Sequence, residues 1–91
     1  MSIEVRIPTI LRQHTGGEKV VTGSATTVGD LFDDLDTRHS GLKGRVITDD
    51  GSLHRFVNVY VNDEDVRFTG GLKTELSDGD SVTILPAVAG G

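Results

Sequence analysis

Apolar and polar residues alternate near both ends of the chain, and between them the period lengthens once. Residues 2 to 7, Ser-Ile-Glu-Val-Arg-Ile, place Ile3, Val5 and Ile7 on one face, as a half-buried strand requires. Pro8 then ends the pairing or confines it to an edge. After a polar stretch around His14, Glu18 to Thr22 reads as a second short strand, and Gly16-Gly17 offers the turn of a hairpin. From Thr27 onward Val28, Leu31, Phe32 and Leu35 fall at i, i+3, i+4 and i+7, which is one stripe of a helix. Thr27 is the expected N-cap, with Asp30 as a short substitute for the Glu of a capping box. Gly41, behind the cations Arg38 and His39, is the expected stop of this one long helix.

Residues 43 to 54 carry Gly44 and Asp49-Asp50-Gly51-Ser52 and read as a turn-rich connection. Arg55 to Asn62 alternates strictly, with Val57, Val59 and Val61 on one face. A turn at Asn62 to Asp65 leads to a short edge strand expected at Val66 to Phe68, then a loop or single helical turn at Leu72 to Leu76. Ser77-Asp78-Gly79-Asp80 is a tight turn before a last strand, Ser81 to Pro86, with Val82 and Ile84 facing inward. The order β-β-α-β-β-β predicts an α+β domain over 1–86, with one helix over one face of a mixed sheet. First and last strands lying side by side would make it a ubiquitin-like β-grasp; another small α+β sheet fits the same pattern. Residues 87–91 then project as a tail, and five residues reach at most ~18 Å when extended.

Composition narrows the chemistry. Ninety-one residues make one domain, and the absence of cysteine removes disulfides, thiolate metal sites and cysteine nucleophiles. A net charge of -5 opposes partners bound through phosphate neutralisation, so neither nucleic acid nor an anionic membrane is expected. Glu4 and Arg6 interrupt any signal-peptide core, and no apolar run is long enough to span a bilayer, which predicts a cytoplasmic protein. His14, His39 and His54 lack metal-pair spacing and read as surface or turn residues. Asp30, Asp33, Asp34 and Asp36 read as a solvated helix face. Asp49-Asp50-Gly51 and Asp78-Gly79-Asp80 read as turns, since neither has the ligand order of a calcium loop. Neither a nucleophile elbow nor a phosphate loop is present, so the chain is not expected to be an enzyme or to bind a cofactor or metal of its own.

Two features remain. Gly-Gly pairs stand at 16-17, 70-71 and 90-91, and the first two read as turns. A terminal pair arises by chance in only ~2% of chains of this glycine content. Glycine lacks a side chain, so its carboxylate can enter a narrow active site and its carbonyl carbon is open to attack once activated. The second feature is the sheet face away from the helix. Arg6, Phe56, Asn58, Tyr60, Thr83 and Leu85 fall there, and an apolar cluster of Phe56, Tyr60 and Leu85 would mark a partner surface. Alternatively, the connection at 42–53 folds over that face.

The run Phe56-Val-Asn-Val-Tyr-Val-Asn-Asp-Glu-Asp-Val-Arg67, the turn Asp78-Gly-Asp80 and the ending Val82-Thr-Ile-Leu-Pro-Ala-Val-Ala-Gly-Gly91 resemble the ThiS/MoaD family of ubiquitin-like sulfur carriers. Ile7-Pro-Thr-Ile-Leu-Arg12 agrees as well. The ending is most similar to the CysO-type carriers of cysteine biosynthesis. Pro86-Ala87, where many relatives have two prolines, favours that type over a molybdopterin-synthase small subunit, which stays an alternative together with a thiazole-pathway carrier. The resemblance implies a β-grasp and a cycle at Gly91. An E1-like adenylating enzyme uses ATP to activate the carboxylate, and sulfide then replaces AMP to leave a thiocarboxylate. A pyridoxal-phosphate-dependent cysteine synthase presents an acceptor derived from O-phosphoserine, and a zinc metalloprotease releases cysteine. ATP, pyridoxal phosphate and zinc then belong to the partners. Ala87, Val88, Ala89 and Gly90 would carry Gly91 into each partner's site. A ubiquitin-like modifier, with Gly91 joined to lysines of other proteins, and a plain interaction module are the remaining alternatives.

Overall fold

The computed structural model describes residues 2–55 and 57–86. Strand β1 (Ile3–Arg6) alternates buried and exposed positions, as its sequence requires, and pairs antiparallel with β2 (Val20–Gly23) in the register Ile3↔Gly23 to Arg6↔Val20. The hairpin expected there forms, but its connection is more than a polar turn. Thr9–Thr15 winds into a 3-10 helix that buries Leu11 and Thr15, and Gly16 and Gly17 leave it at φ 65° and 87°. Those positive φ values are why glycine stands at both positions.

Helix α1 (Val28–Asp36) begins where the cap predicts, with the Thr27 hydroxyl accepting the Asp30 amide at 3.2 Å. Val28, Leu31, Phe32 and Leu35 are all fully buried. Its end differs from expectation: α1 stops at Asp36, and Gly41, at φ 92°, caps the start of a second helix, α2 (Leu42–Val46). The turn-rich connection predicted over 43–54 is therefore helical in its first part, and Leu42, Val46 and Ile47 join the core. Asp36 explains the break, because its carboxylate accepts the amides of Gly41 at 3.1 Å and Lys43 at 3.3 Å and turns the chain back on itself.

Strand β3 (Val57–Val61) turns through Asn62 and Asp63, both at positive φ, into β4 (Glu64–Asp65). The edge strand is thus Glu64–Asp65, and Val66–Phe68, predicted as strand, is a turn of 3-10 helix. The Asp65 carboxylate accepts the Arg67 amide at 2.9 Å and offers that backbone a local partner in place of a ladder. A further 3-10 turn at Gly71–Lys73 fulfils the single helical turn expected after it. Strand β5 (Ser81–Pro86) has the predicted bounds.

The sheet order is β2-β1-β5-β3-β4, with β1 and β5 parallel and the other pairs antiparallel. The first and last strands lie side by side with the helices on one face, which is the β-grasp arrangement. Phe32, Leu31 and Leu35 of α1 face Ile3, Val5, Val59 and Val82 of the sheet in one core.

Candidate functional site

β5 is the middle strand, held on both flanks, and at its end it hands the chain on to residue 87. Its two neighbours are not equally long. Pairing with β1 covers Ser81 to Thr83, whereas pairing with β3 continues to Pro86 opposite Val57. β1 leaves early because Pro8 follows Ile7 and the chain turns into the 3-10 helix. The last half of β5 therefore has a strand on one side and a groove on the other. That groove has a volume of about 440 Å³ and is lined by Arg6, Pro8, Arg12, Lys19, Val20 and Leu85 among others. The Arg12 side chain is fixed there by its Nε donating to the Ile7 carbonyl at 3.2 Å.

The face away from the helices is ordered by the register. Val20, Arg6, Thr83, Tyr60 and Asp65 form one row across all five strands, and Asn58 and Leu85 pair in the next. The structure thus gathers Arg6, Asn58, Tyr60, Thr83 and Leu85 on one face; Phe56 and residues 87–91, with Gly91, lie outside the described residues. Leu85 is 45% exposed and Val20 39%. Val20 was not foreseen, although adjacent valines at 20 and 21 in a strand signal that one of them faces outward. The connection 42–53 does not fold over this face. Ile47 bridges to Leu53, and both pack with α1 and α2 on the opposite side. Tyr60 and Asn58 are half-buried, and Arg67 arches over the latter, bonding its side-chain oxygen and, at 2.8 Å, the Val57 carbonyl.

The helix-face carboxylates hold elements together. Asp34 binds Arg38 at 2.9 Å and accepts the Ser24 amide at 2.9 Å, tying α1 to the end of β2. The Arg38 hydrogen bond, aided by the Ser24 amide, brings the Asp34 carboxyl down to about 2. Asp33 pairs with Lys43 across α1 and α2. The two predicted acidic turns also stand: Asp50 accepts the Ser52 amide at 3.2 Å, and Asp80 accepts the Ser77 amide at 2.8 Å. His14 lies in the 3-10 turn Thr9–Thr15 and is half-buried, with Nε2 buried without a hydrogen-bond partner and its ring against Gly41. No group of three or more His, Asp or Glu able to hold a metal ion occurs among the described residues. No helix among them is long and apolar enough to cross a membrane.

Residues 5–91 match the model of the ThiS family. The chain is 60% identical to the sulfur carrier protein CysO of Mycobacterium tuberculosis over 93 aligned positions that cover all of both chains. It is 37% identical, again over all of both chains, to small archaeal modifier protein 3 of Haloferax volcanii. A chain in the crystal structure of the Amycolatopsis orientalis BexX/CysO complex superposes with a TM-score of 0.92 at 61% identity, covering 98% of this chain and 99% of that one.

Proposed function

The chain belongs to the ThiS family, and on that footing we propose that it is a sulfur carrier of cysteine biosynthesis, the substrate of its partner enzymes and not itself a catalyst. The observation that carries this reading is the 60% identity to a sulfur carrier over the full length of both chains. The fold supports it, because a body anchored around β5 delivers the following residues from one fixed point.

The sulfur rides on Gly91. Its carboxylate attacks the α-phosphorus of ATP in an adenylating partner, pyrophosphate leaves, and the acyl-adenylate forms. Sulfide then adds at the carbonyl carbon and AMP departs, which leaves a thiocarboxylate. Glycine at 90 and 91 keeps that carbon unhindered. The thiocarboxylate sulfur adds to a serine-derived acceptor on a cysteine synthase to give a thioester. The acyl group shifts from sulfur to the amine, so that cysteine is joined to Gly91 by a peptide bond, and hydrolysis of that bond by a metalloprotease releases cysteine and regenerates the carboxylate. In this reading the face of Arg6, Asn58, Tyr60, Thr83 and Leu85 docks the body while the tail enters each site; that the Amycolatopsis relative forms a complex with BexX supports a docking role for the family.

Intact mass spectrometry tests this. The chain, incubated with the adenylating enzyme, ATP and a sulfur source, is expected to exchange one oxygen for sulfur at Gly91, and a chain with one residue appended after Gly91 is expected to stay unchanged. No exchange in the native chain sinks the reading. The 37% identity to an archaeal modifier favours a second reading, with Gly91 joined to lysines of other proteins. That reading requires isopeptide adducts surviving denaturing capture from cells, and their absence removes it.

A further inference from the structure

Charge is unevenly spread along β5. Asp78 and Asp80 sit at its start, where Asp80 bonds the Asn62 side chain at 2.9 Å and Asp78 the Ser2 amide at 2.7 Å, and Arg6, opposite Thr83 in mid-strand, also shares a hollow with Asp63. At its end the groove beside Ile84 and Leu85 is lined by Arg6, Arg12 and Lys19. A second hollow, of about 410 Å³, lies beyond Val57, the residue opposite Pro86, and Arg45 lines it. Arg6, Arg12, Lys19 and Arg45 thus lie about the point where residue 87 begins in a chain with net charge -5, while Arg67, on the Val57 carbonyl, is paired with Asp65. Arg6 meets Glu4 at 3.9 Å with both side chains more than half exposed, a contact too open to neutralise it. Val20 and Leu85, both partly exposed, lie among the cations.

We infer that Arg6, Arg12, Lys19 and Arg45 form a basic collar that docks on an acidic rim around the mouth of the partner's active site. A tail of five residues reaches at most ~18 Å, so whatever surrounds the entrance to that site must come against the collar when Gly91 is inside. Cations pressed against a surface of like sign would be repelled and desolvated without compensation, so the fitting rim is acidic, with an apolar spot for Val20 and Leu85. The acidic far end adds direction: in the field of such a rim the molecule turns its tail end inward before contact. For the identity of the partner the inference rests on the carrier reading.

The test compares the full chain with Arg6→Glu/Lys19→Glu in stopped-flow association with the adenylating enzyme across ionic strength. Both side chains are exposed, and a retained circular dichroism spectrum verifies the fold. The native chain is expected to associate more slowly as salt rises; the double variant is expected to be at least about tenfold slower at low salt and nearly salt-independent. Lys73→Glu, which alters charge away from the collar, is expected to stay within about twofold of the native rate. Equal rates and salt slopes for native chain and double variant overturn the collar, and so does a Lys73→Glu variant as slow as the double variant, since net charge alone would then explain the effect. The oxygen-to-sulfur exchange of the native chain, read in the same samples, separates the two claims. Exchange with unaffected rates defeats the collar alone, whereas no exchange defeats the carrier reading and the collar's partner with it.

Discussion

Asp34 ties α1 to the sheet, binding Arg38 one turn on and the Ser24 amide across the gap to β2. Its carboxyl lies well below the ordinary 3.8, so the folded state favours its charged form. The stabilisation is complete above about pH 4 and is lost as pH falls toward about 2, where the folded group takes up its proton. With the pair partly exposed, the effect is of order 1 kcal/mol. Asp34→Asn is expected to lower stability by about that amount at neutral pH and to flatten the fall in midpoint between pH 4 and 2, measured by urea denaturation. Asp80, lowered by the Ser77 amide and the Asn62 side chain, keeps part of that fall in place. Gly23 sets a different limit. A Cβ there would come within 2.6 Å of Leu31 Cδ1 and 3.2 Å of Leu35 Cδ2, and neither leucine has room to retreat because both are fully buried. Gly23→Ala is expected to cost about 1 to 3 kcal/mol in the same measurement.

Among the elements, the β3–β4 turn shows two neighbouring residues in one unusual backbone region for different reasons. Asn62, at φ 50°, donates to Asp80 at 2.9 Å and accepts the Ser81 amide at 3.0 Å, joining the hairpin to β5. Asp63, at φ 73°, is exposed and lines only an open surface hollow. Asp63→Gly is therefore expected to be neutral or stabilising by up to about 1 kcal/mol, whereas Asn62→Gly relieves the same strain but loses both bonds and is expected to destabilise by about 1 to 2 kcal/mol. Thermal midpoints of the two variants should move apart, and a shared direction would mean that the side-chain bonds add nothing. At this scale the sequence was legible wherever burial was periodic. β1, β3, β5 and α1 bury one residue in two or one stripe in four, and the alternation gave them away. The 3-10 helix at Thr9–Thr15 buries only Leu11 and a threonine, and α2 is five residues long with a glycine inside, so neither is long enough to show a period. Val66–Phe68 misled in the other direction, because a β-branched residue and an aromatic spelled strand while the Asp65 side chain decided the backbone. The candidate face was half legible. Alternation gave which residues of β1, β3 and β5 share it, but Val20 and the groove depend on a register and an early departure of β1 that only three-dimensional pairing reveals.

For the whole molecule, the ends of the described chain lie at opposite ends of the sheet. Ser2 is tied to the Asp78–Gly79 turn at the start of β5, and Pro86 stands at the other end. An N-terminal affinity tag is thus expected to leave both folding and sulfur loading intact. A chain ended at Asp80 lacks the central strand and the partners of both β1 and β3, and is expected to give the circular dichroism and amide spectra of an unfolded protein. Retained native dispersion in that truncation would contradict the central place of β5.

The parallel pairing of β1 with β5 also sets an order of events during synthesis. Ile3 to Arg6 leave the ribosome early and must wait for Ser81 to Pro86, nearly the whole chain later, before the sheet can close. Such long-range pairing forms late. The strand that completes the fold is the one that runs directly into the residues proposed to carry sulfur, so a chain released before Ser81 lacks both that strand and Gly91. On the proposed carrier reading, a partner that docks on the finished sheet would act only on molecules whose folding has run to the end.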